Sequence, residues 1–196
     1  HLVPEAPEPC GTSGTDPRMV GTGARRLRAF FNSTTLGRVF IERSDAAGGD
    51  ATTEALDLDV SLGSGPQWVL GDARLALVLA TLPEGISPAR ALTVRYFELD
   101  GRPADPAELE VPVPEGVGLR DMRAAADDDG HILIFARGGG PDRLFRIQVD
   151  FLGNVVDPLV DLGQVATLGG LVRRPGGGSW AVVSFAESLV EVWQLD

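Results

Sequence analysis

The sequence contains few of the residues that most often reveal chemistry. Among 196 residues there are one cysteine, two histidines and one tyrosine. The single cysteine, Cys10, cannot form a disulfide within the chain, so the cysteine count does not fix the redox compartment. A free thiol is the favoured interpretation, and pairing with a second chain is the alternative. A Ser-His-Asp triad would have to use His131 as its base, and the Gly-x-Ser-x-Gly nucleophile motif is absent.

Long apolar runs and positive charge are also scarce. No stretch approaches the ~20 apolar residues needed to cross a bilayer, so we predict no membrane span. There are 17 Lys and Arg residues against 28 Asp and Glu residues, a formal net charge of −11. Since the phosphates of a nucleic acid would be repelled rather than neutralised, nucleic acid is not expected as a partner.

A fourfold internal repeat is the clearest positive feature. The segment 39–45 (VFIERSD) recurs as 95–100 (RYFELD), 146–150 (RIQVD) and 192–196 (VWQLD), and the closing Asp returns every 46 to 55 residues. In the first three copies a Gly-containing turn follows the Asp. With 25 Gly, 14 Pro and short apolar runs between them, the composition favours many turns and an all-β protein.

Each copy of the repeat belongs to a set of strand candidates. In the third unit these are 122–125, 132–136, 146–150 and 155–160. Four antiparallel strands repeated about every 50 residues are typical of a β-propeller blade. We therefore predict an all-β fold, a β-propeller or propeller fragment of four blade-like four-stranded antiparallel sheets. The predicted blades span residues 15–64, 65–117, 118–168 and 169–196.

The last predicted blade lacks its outer strand, because the fourth copy ends at Asp196. The Pro-rich N-terminal arm, residues 1–14, is the candidate closing strand, since its prolines suit an outermost edge. The alternative is completion by other polypeptide, which would make the unpaired edge a docking site for a partner strand. We therefore expect a second protein chain, or self-association, as the partner.

The motif hydrophobic–x–hydrophobic–x–x–Asp followed by a Gly turn, as in residues 145–153, resembles that of bacterial secreted β-propeller repeat proteins. The resemblance covers about residues 15–196 and implies the propeller fold. It implies no particular activity, since propellers of this broad kind include protein-binding scaffolds, sugar binders, lactonases and phytases. Because the sequence opens on His1 rather than Met, we expect a processed, extracytoplasmic protein.

Asp127, Asp128 and Asp129 form the densest acidic cluster and are candidate metal ligands, since Ca²⁺ takes carboxylate and carbonyl oxygens. A solvated hairpin turn is the favoured interpretation, because the cluster occurs in one unit only. His1 and His131, with an N-terminal amine, are the residue types of a copper-binding histidine brace, but nothing else in the sequence supports that alternative. We predict no cofactor, with Ca²⁺ as the candidate exception.

The sequence contains no convergent catalytic set. It therefore favours a non-catalytic protein-binding or structural module that acts within a larger assembly, with enzymatic activity left open. The alternative is a metal-dependent hydrolase or lactonase-like propeller enzyme with a divalent cation in the central channel. Such an enzyme needs acidic residues from several blades to meet at the axis.

Overall fold

The computed structural model describes residues 18–21, 25–31, 38–59, 65–81, 91–115, 117–127, 129–140, 142–165, 168–173, 180–186 and 189–195. These residues form β-strands, and none of them belongs to a helix long and apolar enough to cross a bilayer. The all-β prediction is therefore confirmed. The strands are β1 (Arg18–Gly21), β2 (Arg25–Phe31), β3 (Arg38–Asp45), β4 (Thr52–Asp59), β5 (Gln67–Leu70), β6 (Arg74–Thr81), β7 (Ala91–Glu98), β8 (Pro103–Pro112), β9 (Leu119–Ala126), β10 (Ile132–Gly138), β11 (Arg143–Val149), β12 (Val155–Gln164), β13 (Leu168–Arg173), β14 (Trp180–Ala186) and β15 (Leu189–Leu195).

Consecutive strands pair as antiparallel neighbours and give four separate sheets. Strands β1–β4, β5–β8 and β9–β12 form four-stranded sheets, called blades one, two and three below. Strands β13–β15 form a three-stranded sheet, blade four, which lacks an outer strand among the described residues. The prediction of blade-like antiparallel sheets with an incomplete last sheet is confirmed.

The burial of a strand follows its place in its blade. Strand β6 has the sequence RLALVLAT and is buried at every position after Arg74, as expected for a strand covered on both faces. The outer strands β8 and β12 are mostly exposed or half-buried and contain Pro106 and Pro158. Proline is tolerated there because an edge strand has N–H groups that need no ladder partner.

The core of the protein lies between blades. The innermost strand β5 contacts β1 and β9, and β9 contacts β13, so the inner strands of successive blades are neighbours. Blades one and two enclose a cluster that includes Leu27, Ile41 and Leu77, and blades two and three enclose one that includes Tyr96 and Ile134. Each fully buried side chain of this size stabilises the folded state by about 1.5–3 kcal/mol. This packing therefore holds one blade against the next.

Arginine side chains also join successive blades. Arg43 Nε of blade one donates to the carbonyl oxygen of Gly101 in blade two at 2.8 Å. Arg74 Nη1 of blade two donates to the carbonyl oxygen of Phe151 in blade three at 3.1 Å. Both carbonyls belong to the turn before the outer strand, so each blade holds the turn of the following one. A charged donor makes such bonds stronger than neutral ones.

The Asp of the internal repeat is a turn residue. Asp45 Oδ1 accepts the amides two and four residues later at 2.9 and 2.7 Å, and Asp150 Oδ1 does the same at 2.8 Å each. Asp100 Oδ1 accepts the amide two residues later at 3.0 Å. Such bonds from side chain to backbone stabilise tight turns. Hairpin geometry therefore explains the repeat in these three copies; Asp196 lies outside the described residues, as does the N-terminal arm 1–14.

Candidate functional site

Charged side chains gather at one end of blade three, where β9 begins, β10 ends and β11 begins. We call this the upper end of blade three, formed by residues 117–121, 137–140, 142 and 143. This end contains the start of β9, which is an innermost strand, and the innermost strands of successive blades are neighbours. A side chain at the start of β9 is thus closer to the propeller axis than one on an outer strand.

A β-bulge shapes the upper end of blade three. Asp121 pairs with Arg137 and Leu119 pairs with Gly138, so Arg120 is an extra residue without a cross-strand partner on β10. The bulge requires a glycine opposite it, because a Cβ on Gly138 would lie 2.3 Å from the carbonyl oxygen of Gly118. Bulges re-aim side chains and occur often beside active sites. Here the bulge exposes Arg120, whose side chain is 60% accessible.

Arg137 bridges two carboxylates at this end. Its Nη1 is 2.9 Å from Asp142 Oδ2 and its Nη2 is 3.5 Å from Asp121 Oδ2. The Arg137 side chain is 16% exposed, and the two carboxylates are 22% and 26% exposed. One guanidinium therefore contacts two half-buried carboxyl groups, one from β9 and one from the loop between β10 and β11.

Two further arginines bind the outer oxygens of the same carboxylates. Arg120 Nη1 is 3.3 Å from Asp142 Oδ1, and Arg123 Nη1 is 3.3 Å from Asp121 Oδ1. Arg123 Nε also donates to the carbonyl oxygen of Gly169 in blade four at 2.7 Å, which anchors the network to the next blade. Three guanidinium groups thus surround two carboxylates, and the cluster carries an excess positive charge within a chain of net charge −11.

The candidate residues Asp127, Asp129 and His131 lie at the opposite, lower end of blade three, in the turn between β9 and β10. Asp127 Oδ1 accepts the amides of Asp129 and His131 at 3.0 and 2.8 Å, and its Oδ2 bonds Gln148 Nε2. Asp127 therefore stabilises the turn, as the hairpin interpretation expects. Asp128 lies outside the described residues.

His131 contacts the same turn. Its Nδ1 is 3.3 Å from Gln148 Nε2 and 3.6 Å from Asp127 Oδ2. His1 lies outside the described residues, so the histidine brace stays a prediction. In the part of the chain that the structure describes, no group of three or more His, Cys, Asp or Glu side chains is placed to hold a metal ion. The calcium site likewise stays a prediction.

Asp150 and Tyr96 lie near this lower end, on blades three and two. Burial raises the pKa of Asp150, but hydrogen bonds from Asn154 and from the Leu152 amide outweigh burial, so the pKa is lowered overall. Burial, followed by the negative charge of Asp150, raises the pKa of Tyr96 well above its usual value. The Tyr96 hydroxyl is buried without a hydrogen-bond partner among the described residues.

The sequence analysis did not identify the upper-end network. It predicted the inner strand of the third unit at 122–125, whereas β9 begins at Leu119 and so includes Arg120 and Asp121. The overlooked signal is the Gly-rich loop at 138–140, which has Arg137 before it and Asp142 after it. Glycines let two backbone segments approach closely, because they have no Cβ. A Gly-rich loop with opposite charges on either side is therefore a place where those charges can meet.

Comparison with known proteins identifies a fold. No protein-family model matches the sequence, and no curated protein matches it. Among solved structures, the chain is similar to an exo-β-1,3-galactanase from Phanerochaete chrysosporium with β-1,3-galactotriose, at a TM-score of 0.57 and 12% identity over 88% of this chain and 44% of that one. It is also similar to an engineered GH43 glycoside hydrolase with endo-xylanase and exo-arabinofuranosidase activity, at a TM-score of 0.51 and 15% identity over 86% and 33%.

These similarities support a β-propeller fold, as the sequence predicted. At 12% and 15% identity they concern the fold alone. The chain spans less than half the length of each of the two structures. The propeller fold that the resemblance to secreted repeat proteins implied is thus supported. Membership of that particular group of proteins is not supported.

Proposed function

We propose that this chain forms part of a β-propeller enzyme that hydrolyses glycosidic bonds. The observation that carries the proposal is the propeller similarity to two carbohydrate hydrolases over 88% and 86% of the chain. That similarity favours the enzymatic alternative over the non-catalytic module preferred from the sequence. Because the chain spans less than half of either structure, we propose that the complete enzyme includes further polypeptide.

The upper end of blade three supplies the chemistry that the proposal needs. Hydrolysis of a glycosidic bond commonly uses two carboxyl groups, one that protonates the leaving oxygen and one that acts as base or nucleophile. Asp121 and Asp142 are two carboxyl groups held on either side of Arg137. We assign Asp121 the position nearer the reacting bond, because it lies on an innermost strand. Asp142 is the second candidate carboxylate.

Arg137 takes a positioning role in this proposal. Arg137 contacts one oxygen of each carboxylate and so holds the two groups at a fixed separation. Gly138 and the bulge set the register of β9 against β10. The cation expected in the central channel is not needed to neutralise Asp121 and Asp142, since guanidinium groups already contact both. Calcium binding by other residues, and an extracytoplasmic location, stay predictions.

The second candidate function is the module preferred from the sequence. It is supported by the edge of β15, which in the described part of blade four has β14 as its partner on one side and no strand on the other. An unpaired strand edge can bind an extended segment of another chain through main-chain hydrogen bonds. This edge also suits an enzyme completed by further polypeptide, so a partner strand is compatible with both functions.

The test is hydrolysis of oligosaccharides by the full natural polypeptide that carries this chain. The panel contains β-1,3-galactan, xylan, and xylan fragments substituted with arabinose or with glucuronic acid, and the readout is the release of reducing ends. We expect activity on at least one substrate and a loss of at least about 100-fold in Asp121→Asn and Asp142→Asn, in the range found when an essential acid or base is removed. Asp157→Asn is the matched control and keeps wild-type activity, since Asp157 lies on the outer strand β12, where it pairs with Arg146. Wild-type rates in Asp121→Asn would contradict the proposal.

A further inference from the structure

The bulge at Arg120 adds a third arginine to the upper end of blade three. Arg120 is the extra residue of the bulge, it lies on an innermost strand, and 60% of its side chain is accessible. Its bond to Asp142 Oδ1 is 3.3 Å long, beyond the usual N–H···O range of 2.7–3.2 Å. Because a guanidinium carries five N–H donors, Arg120 has donors to spare for a ligand.

The charges around Arg120 favour an anion over a cation. Arg137 contacts Asp121 and Asp142, and Arg123 contacts Asp121, so the three guanidinium groups and two carboxylates of this cluster leave an excess of one positive charge. The chain as a whole carries −11, so a local positive site is the exception on this molecule. A ligand with a single negative charge would balance the cluster.

We propose that Arg120 binds the carboxylate of an acidic sugar, so that the substrate of the proposed hydrolase contains a uronic acid next to the bond at Asp121. The inference rests on the proposed function and names its substrate class. A guanidinium binds a carboxylate through two parallel N–H···O bonds, which neutral hydroxyl groups cannot reproduce. The bulge leaves Arg120 without a cross-strand partner on β10, and 60% of its side chain is accessible to a ligand.

The experiment compares the binding of trigalacturonic acid and of its trimethyl ester, in which a neutral methyl ester replaces each carboxylate, by calorimetry with the full natural polypeptide. We expect the acid to bind at least about tenfold more tightly than the ester, as the loss of one charge-assisted contact requires. In Arg120→Gln this preference disappears. The matched control is Arg102→Gln, which removes an arginine that is 79% exposed and ion-paired with Asp100 in a turn of blade two; it keeps the preference.

The outcomes separate this inference from the proposed function. Equal binding of acid and ester, or binding of neither, overturns the uronate inference, and the hydrolysis of neutral oligosaccharides then decides the proposed function independently. An acid preference that survives in Arg120→Gln also overturns it. If that variant does not fold, the comparison of acid with ester in the wild-type protein still tests the ligand class.

Discussion

Tyr96 offers the sharpest test of the packing between blades two and three. Its side chain is 0% exposed, and its hydroxyl has no hydrogen-bond partner among the described residues. Burying an unpaired hydroxyl costs roughly 1–3 kcal/mol relative to leaving it in water. Phe has the same ring without the hydroxyl, so Tyr96→Phe removes the penalty and keeps the packing.

We expect Tyr96→Phe to increase the free energy of unfolding by about 1 kcal/mol, measured by urea denaturation at pH 7. For a chain of this size, that change raises the melting temperature by roughly 2–4 °C. The matched control is Thr93→Val on the same strand. It removes a buried hydroxyl that does have a hydrogen-bond partner, the hydroxyl of Thr81. A loss of 1 kcal/mol or more in Tyr96→Phe would refute the reasoning, since it would mean that the hydroxyl has a partner.

Tyr96 also predicts a pH dependence. Burial, and to a smaller extent the charge of Asp150, raises its pKa in the folded state above its usual value of 10.0. A raised pKa means that the stabilisation is complete below pH 10 and is lost as the pH rises further, because the unfolded chain ionises first. Since the chain has one tyrosine, tyrosinate absorbance reports on Tyr96 alone. Appearance of tyrosinate near pH 10 in the folded protein would contradict the burial.

Further substitutions test particular contacts. Gly138→Ala is expected to destabilise the fold by about 1–3 kcal/mol, because its Cβ would lie 2.3 Å from the carbonyl oxygen of Gly118. Gly140→Ala should be near neutral, since no atom of the described residues lies within 4 Å of its Cβ; thermal melts compare the two variants. Thr93→Val should lower the free energy of unfolding by about 1 kcal/mol, because Thr93 Oγ1 is 2.9 Å from the hydroxyl of a buried threonine on β6. An unchanged free energy of unfolding in urea denaturation would argue against that hydrogen bond. Asp150→Ala should reduce the loss of stability that the wild type shows as the pH falls below about 4, since the lowered pKa of Asp150 stabilises the folded state only while the carboxyl is ionised. Acid denaturation curves that are the same in the variant and the wild type would contradict this.

The sequence contains enough information for the blade pattern because the features behind it are local. Continuous apolar runs such as that of β6 and turns after Asp45, Asp100 and Asp150 depend on residues close in sequence. Period and turn chemistry therefore predict which strands pair with their neighbours. The role of the repeated Asp is local as well, since its side chain accepts hydrogen bonds from backbone amides of the turn that follows it.

The candidate site was not predictable in the same way, because it depends on a register shift. Arg120 becomes an exposed donor only where the pairing of β9 with β10 slips between Arg137 and Gly138. The carboxylate of Asp142 then meets Arg137 across a loop. Sequence patterns place the acidic cluster at 127–129 in a turn, which is correct for Asp127, but they do not reveal which charges a bulge brings together.

Incorporation of heavy oxygen into released sugar tests the proposed hydrolysis most directly. The full natural polypeptide is incubated in ¹⁸O-water with the oligosaccharides of the panel, and the products are weighed by mass spectrometry. Hydrolysis leaves the oxygen of water on the anomeric carbon of one product, whereas the other product keeps the bridging oxygen. We therefore predict that one of the two products of each cleaved bond carries one heavy oxygen, and that Asp121→Asn releases no labelled product. Cleavage with no label in either product, labelled product from Asp121→Asn at the wild-type rate, or no cleavage of any oligosaccharide would contradict a glycoside hydrolase site at Asp121.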